Sequence, residues 1–89
     1  MSNNSLIARI QASLELLEAH QSSARVLADS IRGNGKALEA MPYVLIKEME
    51  DMAMDLDIVQ WQDEDGFLPE LGPIFIRVRD WLSKLPRDV

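Results

Sequence analysis

The chain has 89 residues, 47% of them hydrophobic and 27% charged, with four Gly, four Pro and a formal charge of −6. That composition fits one folded domain, residues 1–89, and excludes a disordered or fibrous chain. Cys is absent, which rules out a disulfide framework, a thiolate metal site and a cysteine nucleophile, so stability has to come from apolar packing, within the chain or across a subunit interface.

The first segment reads as one helix from Ser5 to Arg32. Apolar residues recur every seven positions at Ile10, Leu17, Ala24 and Ile31, and Leu6, Leu14, Leu27 and Ala28 widen that stripe, the spacing of a single buried helical face. Asn4 or Ser5 is expected to cap its start, and Gly33-Asn34-Gly35 to stop it at Arg32 or Gly33, because glycine readily takes the left-handed conformation that ends a helix. The weak point is His20-Gln21-Ser22-Ser23, where the stripe turns polar. With neither Gly nor Pro to interrupt it, the expectation is a continuous helix.

Lys36 to Met41 is expected to form a separate helical turn. A second helix is predicted from Pro42 to Gln60, with Pro42 at a first position where its missing amide costs nothing. Its seam is Leu45, Met49, Met52, Leu56 and Val59, in alternating steps of four and three, as in a short coiled-coil seam. A second partial stripe at Met54, Ile58 and Trp61 predicts that the end of this helix is covered from two sides. Met41, Met49, Met52 and Met54 crowd the same stretch; methionine is ordinary core filler and also suits surfaces that must fit an irregular partner.

Trp61 to Gly72 reads as an acidic connector, with Phe67 and Leu68 plugging the bundle. A third helix starts near Pro73 and ends before Pro86, burying Ile74, Val78, Trp81, Leu82 and Leu85. Ile74 to Arg79 also alternates like a strand, but no partner strand exists and the helical spacing continues to Leu85. The fold class is therefore all-α: a long helical hairpin plus a third, shorter helix in a small bundle.

Charge is unevenly spread. Residues 1–36 carry +1, residues 37–72 carry −9 and residues 73–89 carry +2. Glu48, Glu50, Asp51, Asp55 and Asp57 lie outside the main seam of the second helix. Such a face serves first as a solvated surface and, more sharply, as an electrostatic docking surface for a basic partner or a mimic of nucleic-acid phosphate. No basic patch with interleaved aromatics is present, so direct nucleic-acid binding is not expected. Arg77, Arg79, Lys84 and Arg87 are expected to face the acidic second helix or its copy in another subunit.

Candidate chemistry is sparse. Asp63-Glu64-Asp65-Gly66 resembles a calcium loop only until Gly66 is set at the sixth position; Trp61 and Gly72 then occupy the first and twelfth, where ligands are required. His20, the only histidine, is expected to be a partly buried helix residue with a hydrogen-bond partner. Ser23 lies one turn away, but Asp29 is too far along the same helix to orient the imidazole. No glycine-rich phosphate loop occurs. The chain is therefore expected to be no enzyme and to need no cofactor and no metal.

The polar start, Met1 to Ser5, lacks the basic and apolar parts of a secretory signal, and no run of about 20 apolar residues could cross a bilayer. A cytoplasmic protein with no membrane contact is expected. The function that follows is a non-catalytic protein–protein interaction module: a small adaptor, regulatory subunit or chaperone-like protein acting through an amphipathic helical surface. The alternative is an acidic inhibitor, such as an immunity protein, antitoxin or nucleic-acid mimic, that blocks a basic site on its target. The candidate docking residues are Glu48, Asp51, Met54, Asp55, Ile58 and Trp61. The expected partners are another protein, basic in the electrostatic reading, and a second copy of the chain in a homodimer.

Overall fold

A computed structural model describes residues 2–66 and 70–88, which form four helices: α1 (Asn3–Glu18), α2 (Ala24–Ala37), α3 (Tyr43–Glu64) and α4 (Gly72–Lys84). Each packs antiparallel on the next, and α4 closes on α1. The described residues contain no strand, and Ile74 to Arg79 is helical. The all-α bundle stands; the long hairpin with one further helix does not, because the first predicted helix is two.

The break falls at the polar stretch. His20 takes φ 59°, a left-handed conformation that histidine adopts more readily than most side chains. The His20 N–H donates to the Leu17 carbonyl at 3.0 Å and the Gln21 N–H to the Leu16 carbonyl at 2.8 Å, the paired bonds that close a helix C-terminus. Two residues on, the Ser23 hydroxyl accepts from the Val26 N–H at 3.3 Å and caps α2. A stop signal and a start signal thus lie back to back, and together they outweigh the absence of Gly and Pro. His20 is exposed rather than partly buried. The seven-residue stripe survives because α2 folds back along α1: Ile10 and Leu17 on one helix and Ala24 and Ile31 on the other all reach the same core.

The expected stop at Arg32 or Gly33 is also wrong, and Lys36-Ala37 continues α2 instead of forming a separate turn. Gly35 is buried inside this last stretch of helix. A Cβ at Gly35 would lie 2.2 Å from Met49 Sδ. The residue is therefore a packing glycine that lets α2 approach α3, rather than a terminator. The chain turns after it, where Leu38 is extended and Ala40 is left-handed at φ 59°. Pro42 precedes α3 as its N-cap residue, and α3 runs one turn beyond Gln60, through Glu64. Asp63-Glu64 is thus helical, and the turn itself is Asp65-Gly66, with Gly66 at φ 88°. The predicted plug, Phe67 and Leu68, lies outside the described residues. Helix α4 starts one residue ahead of Pro73.

The core takes one face from every helix. Leu17, Ala24, Leu45, Met52, Leu56 and Trp81 are buried, as expected, and Glu50, Asp51 and Asp63 are exposed. Ile74 is only half-buried. The Trp81 indole N–H donates to the Leu45 carbonyl at 3.0 Å, which satisfies the one polar atom of a fully buried ring.

The start of α1 is fixed by a clasp. Ser2, not Asn4 or Ser5, is the cap, its hydroxyl accepting from the Ser5 N–H at 3.2 Å. Asn4 is occupied elsewhere: its side-chain oxygen accepts from the Asp88 N–H at 3.1 Å. Buried Asn3 donates through Nδ2 to the Glu39 and Pro86 carbonyls, both at 3.0 Å, and accepts through Oδ1 from the Glu39 N–H at 3.0 Å. The Asp88 carboxylate accepts from the N–H groups of Asn3 and Asn4.

Candidate functional site

Helix α3 is apolar on two opposite sides. Leu45, Met49, Met52, Leu56 and Val59 face the core and are buried. Met54, Ile58 and Trp61, at steps of four and three, lie on the outer side with 59%, 44% and 64% of their surface in water. Among the described residues the cover expected for this stripe is missing, because α2 and α4 both pack on the flanks of the inner face. The outer stripe borders an open groove of about 490 Å³, lined by Arg25, Met54, Asp57, Ile58, Gln60 and Trp61.

The flanks of α3 hold most of its acids. On the α4 side, Glu48 meets Lys84 at 3.3 Å and Asp55 meets Arg77 at 2.5 Å. On the α2 side, Asp57 meets Arg32 at 2.5 Å and Glu64 meets Arg25 at 3.2 Å. Arg79 pairs with Glu18 of α1. The Asp57 hydrogen bond raises the Arg32 pKa, with burial opposing it. Hydrogen bonds to Asp80 and then Glu48 raise that of Lys84. Of the four C-terminal cations, Arg77 and Lys84 thus face the acidic helix of their own chain, whereas Arg79 turns to α1 instead.

The six predicted docking residues therefore divide. Asp51, Met54, Ile58 and Trp61 share the exposed outer side of α3. Glu48 and Asp55 are half-buried and belong to the contact with α4. Sequence reasoning missed Arg25 and Gln60, and it placed Asp57 on the acidic face without counting it among the six. The Arg25 N–H donates to Gln60 Oε1 at 3.2 Å, a contact across 35 residues with no local signal. Asp57 adjoins Ile58 and stands at the rim of the groove.

A second cleft, of about 260 Å³, lies at the α1–α2 turn and includes His20, Ser22, Ser23 and Asp63. Among the described residues no hydrogen bond joins His20 to either serine or to Asp63, and the Ser23 hydroxyl is taken by its cap. A nucleophile held by a base is therefore not assembled there. No group of three or more potential metal ligands occurs among the described residues. None of their helices is long and apolar enough to cross a membrane. Compared with protein-family models, with curated proteins and with solved structures, the chain has no match. The outer side of α3 is thus a feature of the surface that the described fold does not explain.

Proposed function

We propose that the protein is a non-catalytic protein–protein interaction module whose docking element is the outer side of α3. The supporting observation is the exposure of Met54, Ile58 and Trp61 together beside a groove. A single exposed apolar residue is ordinary, but a contiguous stripe containing Trp and Met is the composition of protein-binding surfaces. The described core is built on the opposite side of the same helix. The reading as an acidic inhibitor loses much of its basis, because Glu48, Asp55, Asp57 and Glu64 are engaged within the chain.

The test is capture from cells of the source organism, with the intact chain and its Ile58→Asp variant as parallel baits. At least one protein should be retained by the first and lost from the second, both baits having the same thermal midpoint. Identical captures would refute the assignment of α3 as the docking element.

A further inference from the structure

We infer that the occupant of this face is an amphipathic helix with basic flanks, supplied by another protein; the inference rests on the docking role proposed for α3. Met54, Ile58 and Trp61 span two turns, about 10 Å along the helix axis. Every described element is helical, so the face offers no strand edge whose backbone groups could pair with an extended peptide. An incoming helix satisfies its own backbone and needs only apolar side chains at matching three- and four-residue steps.

Charge selects the kind of helix. Arg25, Arg32, Arg77, Arg79 and Lys84 each pair with an acid of the same chain. Around the stripe this leaves, among the described residues, Glu50 and Asp51 on one end and Asp65 on the other, all exposed and outside these pairs, against one cation outside them, Lys47. A second copy would set these acids against their own duplicates, on a chain already at −6. A helix carrying Lys or Arg beside its apolar stripe would meet them with opposite charge, and a cation could also rest on the exposed Trp61 ring.

The probe is a synthetic amphipathic helix of leucine and lysine, with a leucine–glutamate peptide of identical pattern as its counterpart, each titrated into the full chain. The leucine–lysine peptide should bind, shift the Trp61 emission to shorter wavelength, and lose about tenfold or more in affinity between low and high salt. Ile58→Asp should weaken it by about tenfold although it adds a negative charge, which a purely ionic association would favour. Asp51→Lys should weaken it by a factor of about three and flatten the salt dependence. Equal binding of the leucine–glutamate peptide would overturn the basic occupant while leaving α3 as a docking helix. Binding of neither peptide, or a leucine–lysine affinity untouched by Ile58→Asp, would also overturn it. So would a dimer in light scattering that Ile58→Asp dissociates, because the occupant would then be a second copy.

Discussion

Two glycines two residues apart on α2 carry opposite expectations. Gly33 has open space where a Cβ would sit. Gly33→Ala should stabilise the protein by about 0.5–1 kcal/mol through helix propensity and a less flexible unfolded chain. At Gly35 the same propensity gain meets the close approach of Met49 Sδ, and Met49 itself is buried. Overpacking of this kind costs about 1–3 kcal/mol, so Gly35→Ala should be destabilising on balance. A Met49→Ala background should abolish that penalty, since the two side chains share one space. Chemical denaturation of the three single variants and of the Gly35→Ala, Met49→Ala double variant checks both signs. These glycines also show a limit of reading residues from sequence. A Gly-Asn-Gly run looks the same whether it ends a helix or lies against a methionine fourteen positions away, and only the neighbouring helix decides between them.

At the scale of the element, the seams of α3 and α4 were legible because one buried face imposes its period on the sequence. Leu56 lies at the centre of the α3 seam with no exposure, and Leu56→Ala should cost about 2–5 kcal/mol through lost transfer energy and an unfilled cavity. Asp51→Asn, on the outer side, should change stability little or raise it slightly by relieving local repulsion. Thermal unfolding of the pair separates core from surface on one helix. The two indoles offer an optical counterpart: Trp81 is buried and hydrogen-bonded, whereas Trp61 is 64% exposed. Trp61→Phe should therefore leave a blue-shifted emission that acrylamide barely quenches. The helix break was the harder feature. Periodicity continues through it, because antiparallel helices put equivalent positions into one core. The signals that mark it, an αL-tolerant histidine followed by a capping serine, are individually weak. The outer stripe was visible as a pattern; that none of the described helices covers it depends on where α2 and α4 pack.

For the whole molecule, the uneven charge of the sequence becomes a set of bridges between helices. The acids are concentrated on α3, and α2 and α4 supply cations to its two flanks. Exposed pairs of this kind contribute only about 0–1 kcal/mol each, so their larger effect is on which helix lies beside which. Because Lys84 has a raised pKa, its contribution is fully present below the ordinary lysine value and is lost as pH rises through the raised one. The difference in thermal midpoint between wild type and Lys84→Met should thus persist at neutral pH and vanish in strong alkali. The sequence segregation of charge was plain, but whether the cations served this chain or a second one depended on the helix order. The clasp at Asn3 bears on connectivity itself. Residues 3 and 88 touch through hydrogen bonds, and each helix packs on its sequence neighbours, so the molecule is a ring cut at an arbitrary point. Joining those ends and opening the chain between Gln21 and Ser22 would leave the closing bonds of α1 and the serine cap of α2 on their own sides of the cut. The starting point of the chain could move around the bundle with every helix pair kept.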